Sequence, residues 1–191
     1  THSPRVLKAR KTNVELLLSN HPDDCLYCER NGSCELQSLA EDLNIRERRI
    51  PGKKSPFKVD RSSPAIVRDP AKCILCGRCV RVCEEIMATS ALDFAYRGNE
   101  LCISTTLGKP LNFSNCTACG QCLMVCPTGA LIEHLQFPEL DSHLHAPGKL
   151  VVAQYSPAVA VSVAEMLGFK PGTDMSGVIR MVSSMQIVTS Y

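Results

Sequence analysis

Two copies of one cysteine pattern constrain this chain more than anything else in it: CILCGRCVRVC at 73–83 and CTACGQCLMVCP at 116–127. Each reads C-x2-C-x2-C-x3-C. The first three thiolates of such a run reach three corners of a single four-iron cube, and in a doubled pattern the fourth cysteine serves the other cube. The spacing therefore assigns Cys73, Cys76, Cys79 and Cys126 to one [4Fe–4S] cluster, and Cys116, Cys119, Cys122 and Cys83 to another. Zinc would want a closed tetrahedron of ligands, commonly two separated C-x2-C pairs, and leaves the third cysteine of each triplet unexplained. Disulfides fail on geometry, because cysteines this close in the chain cannot easily pair with one another. Gly77 and Gly120 lack a Cβ, which lets the backbone crowd a cluster and aim amides at its sulfurs. Pro127 follows the last cysteine, whereas Glu84 stands at the same place after Cys83.

Upstream, HPDDCLYCERNGSC sets His21, Cys25, Cys28 and Cys34 in an H-x3-C-x2-C-x5-C pattern. Three sulfurs and one nitrogen suit either a Cys3His zinc site or an unusual iron–sulfur cluster. Spacing alone does not decide between them; without context zinc is favoured, while the place just ahead of the doubled motif favours a third redox centre. An imidazole in place of a thiolate removes negative charge and raises a cluster's potential. Asp23 or Asp24 is placed to orient the ring by accepting its other N–H.

Around these motifs the chain reads as short elements. Residues 1–20 predict a helix, with Ser3 as N-cap, Pro4 in the first turn, Leu7, Val14, Leu17 and Leu18 on one face, and a solvated basic face of Arg5, Lys8, Arg10 and Lys11. Leu36, Leu39, Ala40 and Leu43 predict a second helix covering the site before it. Asp93–Tyr96 and Leu101–Thr105 flank Arg97-Gly98-Asn99 as a hairpin, with short helices after each motif. Cys102, outside every ligand pattern, reads as a buried structural thiol, and His134, His143 and His145 as surface residues. Beyond Gly148 the pattern turns to β-α-α: a strand over 150–155, a helix from Ser156-Pro157 stopped by Gly168, and a further helix over 175–185.

The resulting fold class is α+β. Residues 1–50 form a His/Cys3 unit, 51–64 a linker rich in proline and charge, 65–147 a two-cluster ferredoxin-like domain, and 148–191 the opening of a truncated α/β domain. Twelve cysteines in 191 residues, eleven of them in ligand-like spacing, mean that metal supplies part of the cohesion a larger core would give. The formal charge of +2 omits the cluster thiolates, so nucleic acid is an unsuited partner. The most apolar stretch, LVVAQYSPAVAVSVAEMLGF, is broken by Gln154, Pro157 and Glu165 and does not read as a membrane span. Without a signal-peptide pattern, thiols that must stay reduced point to the cytoplasm. With Thr1 rather than Met at its start, the expectation is a piece of something longer.

HPDDCLYCERNGSCELQ, SSPAIVRDPAKCILCGRCVRVCEE, CTACGQCLMVCPTGAL and LVVAQYSPAVAVSVAEMLGFKPGT together resemble the large subunit of [FeFe]-hydrogenases, especially the NAD-linked, electron-bifurcating kind. The resemblance covers nearly the whole chain. It implies that His21, Cys25, Cys28 and Cys34 hold an iron–sulfur cluster rather than zinc, making three [4Fe–4S] clusters. It implies flavin- and NAD(P)H-binding iron–sulfur subunits, and soluble ferredoxin, as partners. The family's [2Fe–2S] domain would precede Thr1, the cysteines of its catalytic iron cluster lie downstream of anything here, and Ala160 stands where the family tends to carry a basic residue. The expectation is an electron-conducting part of a cytoplasmic oxidoreductase subunit with no catalytic centre, no [2Fe–2S] cluster and no catalytic iron cluster of its own. Two alternatives remain: the same wiring in an NAD(P)H–ferredoxin transhydrogenase or formate dehydrogenase complex, and a self-contained carrier or zinc-stabilised interaction module.

Overall fold

Ser3 opens α1 (Pro4–Asn20): its hydroxyl accepts the Val6 amide at 3.4 Å, and Pro4 fills a first-turn position where no donor is needed. The inward face is narrower than the leucine spacing predicts. Val14, Glu15 and Ser19 are buried, while Leu7 and Leu17 stay 39% and 37% exposed. The reason is an ion pair: Arg49 forks onto the Glu15 carboxylate at 2.6–3.0 Å and turns that part of the helix inward. In α2 (Glu35–Asp42) only Leu36 is fully buried, and Leu39 remains 45% exposed. The structure is a computed structural model that describes residues 2–53, 58–149, 151–152 and 154–180.

Two small antiparallel sheets follow. β1 (Ile66–Arg68) pairs with β4 (Leu131–Glu133), setting Val67 opposite Ile132. β2 (Asp93–Ala95) pairs with β3 (Cys102–Ser104), setting Phe94 opposite Ile103. The second pair is the expected hairpin, with Tyr96, Leu101 and Thr105 left outside its strands. The first was not read from sequence, because three-residue strands are too short to show alternation. Between the sheets lie α3 (Arg78–Arg81), continued by a π-helical turn over Val82–Ile86, and α4 (Gln121–Val125), which packs against both.

The core they enclose is small: Ile66, Val80, Leu92, Ile103, Leu111 and Leu131, with Cys79, Cys122 and Cys126 in the same cluster. Each of the large side chains contributes about 1.5–3 kcal/mol by leaving water. Asp60 ties the edge. It exchanges backbone hydrogen bonds with Arg68, and its carboxylate accepts the amides of Ser62 at 3.0 Å and Leu111 at 2.8 Å. Burial alone would raise this carboxyl, but the hydrogen bonds from Ser62 and Leu111 and the Arg68 charge hold it below the ordinary carboxylate range.

Residues 1–134 form one compact unit and 135–191 a second. The expected 51–64 linker falls inside the first, and its residues 54–57 lie outside the described ones. Gly52 is packed so closely that an ideal Cβ would stand 2.2 Å from the Ser19 carbonyl oxygen.

In the second unit a helix over Phe137–Leu144 (α5) occupies the stretch read as polar surface. The helix from Pro157 is present as α6 (Pro157–Met166), burying Ala160 and Ala164. Gly168, at φ +79°, ends it, and the Phe169 amide returns to the Ala164 carbonyl at 3.0 Å. The strand expected at 150–155 is not found: residues 151–152 and 154–155 carry no strand pairing, and Leu150 and Ala153 lie outside the described residues. A strand exists only by pairing, and no strand is described in this unit to pair with it. The last expected helix begins at 176 and is described to 180; its remainder lies outside. Among the described residues no helix is long and apolar enough to cross a membrane.

Candidate iron–sulfur sites

Both cysteine motifs fold into the same loop. Leu75 and Ala118, each just before the second cysteine, sit at φ +57° and +54°, and Gly77 and Gly120, each just after it, at +71° and +75°. A left-handed residue with a Cβ costs about 1–2 kcal/mol, so the loop geometry is held against local preference at Leu75 and Ala118. The return is a matched pair of amide-to-sulfur bonds, Leu75 N–H to Cys73 Sγ and Ala118 N–H to Cys116 Sγ, both at 3.4 Å. Gly77 is needed for its backbone angle and for space, since an ideal Cβ would meet the Phe94 ring at 3.0 Å. The crowding neighbour is thus a ring.

Three cavities collect the candidate ligands. One is lined by His21, Cys25, Cys28 and Cys34; a second by Cys73, Cys76, Cys79 and Cys126; a third by Cys83, Cys116, Cys119 and Cys122. In the second and third, the fourth cysteine comes from the opposite copy. Ile103 and Leu131 wall the second, and Ile66, Leu92 and Leu111 the third, so both are apolar around the sulfurs.

Burial and neighbouring thiols raise several of these cysteines. Burial, and then Cys73, Cys126, Cys76 and, from the other set, Cys122, push the Cys79 thiol up to about 12. Burial, and then Cys116, Cys119 and Cys83, push Cys122 up to about 12. Cys73 rises to about 11, again chiefly by burial. Cys25 is raised by burial and then by Cys28 and Cys34. Such thiols keep their protons at neutral pH until a metal displaces them. Among the described residues no three His, Cys, Asp or Glu side chains converge tightly enough for one metal ion.

His21 is buried, and its Nδ1 lies 3.0 Å from the Pro22 carbonyl. A carbonyl only accepts, so Nδ1 carries the proton, and in the neutral form of the ring the lone pair lies on the buried Nε2. The role foreseen for Asp23 or Asp24 thus falls to a backbone oxygen. Asp23 pairs with Arg48, and Asp24 meets Lys72 at 3.2 Å.

The surroundings of the fourth cysteines differ. Cys83 Sγ accepts the Ala91 amide at 3.3 Å and lies 3.1 Å from the Thr89 hydroxyl. Cys126 donates from Sγ to the Thr128 carbonyl at 3.2 Å. Cys102 lies buried on β3, its thiol raised by burial, and lines none of the three cavities. His143 and His145 are exposed as expected, but His134 is half-buried, with Nδ1 at 2.8 Å from the Ser63 carbonyl at the sheet edge. Sequence reasoning passed over Arg30, Glu35, Lys72 and Arg78. Arg30 donates to the Cys126 carbonyl at 2.7 Å, and Arg78 forks onto Glu35 at 2.6 and 2.9 Å. Their position beside the candidate ligand cysteines is the signal that could have singled them out.

A mixed fold of short helices and two-stranded sheets around doubled cysteine loops defines a ferredoxin-like iron–sulfur protein, and comparison with known families agrees. Residues 10–49 match the NADH-ubiquinone oxidoreductase-G iron–sulfur binding region, and residues 63–132 match the ferredoxin-like domain of NADH-quinone oxidoreductase subunit 3. The chain is 44% identical over 178 residues, 93% of its length, to the NADP-reducing hydrogenase subunit HndD of Solidesulfovibrio fructosivorans. It is 38% identical over 133 residues, 70% of its length, to the NADPH-Fe(3+) oxidoreductase subunit alpha of Geobacter sulfurreducens. It spans 30% of the first relative and 15% of the second. Among solved structures, NAD+-reducing [NiFe]-hydrogenase in the H2-reduced state superposes with a TM-score of 0.65 at 29% identity, covering 69% of this chain and 56% of that one. The similarity is to NADH-quinone oxidoreductase G-type and hydrogenase subunits as a group.

Proposed function

We propose that this chain holds three [4Fe–4S] clusters and conducts single electrons inside a hydrogenase-type, NAD(P)H- or ferredoxin-linked oxidoreductase subunit. His21, Cys25, Cys28 and Cys34 hold the first, Cys73, Cys76, Cys79 and Cys126 the second, and Cys116, Cys119, Cys122 and Cys83 the third. The observation that carries this is the partition of the ligand residues into three cavities, each lined by one set. When bound, such clusters supply one-electron storage at a potential set by charge, sulfur hydrogen bonds and solvent access. The protein's own contribution is visible in each of these. Apolar walls exclude water, the Leu75, Ala118 and Ala91 amides donate to sulfur, and His21 supplies a neutral ligand. The chain itself makes and breaks no bonds.

A hydrogenase context is favoured over formate dehydrogenase by the length of the match. The similarity to HndD covers 178 of the 191 residues and so extends well past Gly148, whereas that to a putative formate dehydrogenase of Staphylococcus haemolyticus covers 134 at 31% identity. Partners are then flavin- or NAD(P)H-binding iron–sulfur subunits of the same complex, in the cytoplasm. Metal and acid-labile sulfide analysis tests the cluster count. The expected result is about twelve irons per chain, four to a cube, with little zinc. Stoichiometric zinc with about eight irons would give the first site to zinc instead.

A further inference from the structure

Gly129 has no left-handed turn to make, since its φ lies outside the positive range. What requires glycine there is space. An ideal Cβ would stand 2.7 Å from the Cys28 sulfur, 3.4 Å from Lys72 Cδ and 3.7 Å from Arg30 Cγ. The turn that follows Cys126, a ligand of the second set, therefore lies directly against a ligand of the first. Other bonds cross at the same place. The Arg30 guanidinium donates to the Cys126 carbonyl at 2.7 Å, and the Glu35 amide, next to Cys34, donates to the Pro127 carbonyl at 2.9 Å. Lys72, next to Cys73, reaches Asp24, next to Cys25, at 3.2 Å, and the Thr128 hydroxyl donates to the Lys72 carbonyl at 2.7 Å.

We propose that Gly129 and Arg30 form the coupling junction between the first and second sites, Gly129 setting how closely Cys28 approaches the Cys126–Gly129 turn and Arg30 fixing the Cys126 backbone with a cation between the two thiolate sets. The proposal rests on the three-cluster reading above. What crosses the junction is one electron: the donating side is oxidised by one, the accepting side reduced by one, and no bond or proton moves. A fixed positive charge between the sets favours the more negative, reduced state on either side. Both residues act through the ligands and are positioning residues.

The test uses the full chain loaded with iron and sulfide, reduced stepwise with dithionite and followed by electron paramagnetic resonance. Wild type is compared with Gly129→Ala, Arg30→Met and Arg30→Lys, and with Gly177→Ala, whose added methyl meets open space. Gly129→Ala is expected to weaken the magnetic interaction between the first and second sites, or to release the irons of the first site alone, while the third site's signal stays unchanged. Arg30→Met is expected to lower the midpoint potentials of the first and second sites, with Arg30→Lys moving them back toward wild type. A fully loaded Gly129→Ala protein with unaltered interaction, or unmoved midpoints in Arg30→Met, overturns the junction while leaving the three-cluster reading intact. A wild-type chain that binds far fewer than about twelve irons overturns that reading and the junction with it.

Discussion

Up to Cys79 and Cys122 the two cysteine motifs are built alike, with left-handed residues at the same two positions, amide-to-sulfur bonds of the same length, and a buried third thiol pushed to about 12 in each. Past those residues they part. Without a proline after Cys83 the first copy continues into a π-helical turn, and the Cys83 sulfur accepts the Ala91 amide and lies beside the Thr89 hydroxyl. With Pro127 after Cys126 the second copy stops short, and its last carbonyls accept bonds from Arg30 and Glu35. The shared part brings the candidate ligands together. The divergent part gives each candidate site its own surroundings, the kind of difference that sets iron–sulfur potentials.

The strongest way to break this comparison is to remove ligands across the copies. Cys73→Ser and Cys126→Ser are expected to lose the same cluster, about four irons, although the two residues belong to different motifs. Spectra showing loss of different clusters would undo the crossed assignment. The glycines offer a finer contrast. Gly77→Ala is expected to cost about 1–3 kcal/mol, more than Gly120→Ala, because both lose the left-handed backbone but only Gly77 also drives a methyl into Phe94. Chemical denaturation of the two loaded variants measures the gap, and equal losses would mean that Phe94 yields.

Smaller still is the effect of one sulfur hydrogen bond. Thr89→Val removes the hydroxyl beside Cys83 Sγ and is expected to lower the potential of the third site while leaving the second unmoved, a change worth about 0.5–1.5 kcal/mol. The smallest expected effect lies at the sheet edge shared by both copies. Asp60 is lowered in the folded chain, so its contribution is present above the unfolded carboxyl value of about 3.9 and is lost as pH falls through the lower folded value. Unfolding midpoints of wild type and Asp60→Asn should therefore converge as pH is lowered through that window. A gap that persists at the acid end would show that the charge of Asp60 is not what matters.

By itself the sequence singled out the candidate ligands, because cluster chemistry demands thiolates at short fixed spacing and that spacing is a local property. It carried the hairpin around Arg97-Gly98-Asn99, the Ser3 cap and the α6 start for the same reason: each signal lies within a few residues of what it specifies. Tertiary structure alone decided what joins distant segments. The pairing of Ile66–Arg68 with Leu131–Glu133, the burial of Glu15 under Arg49, the carbonyl that orients His21 and the contact of Gly129 with Cys28 leave no periodic trace. Three-residue strands bury too little to impose alternation, and a buried carboxylate or a crowded glycine is legible only once its partner from elsewhere in the chain has arrived.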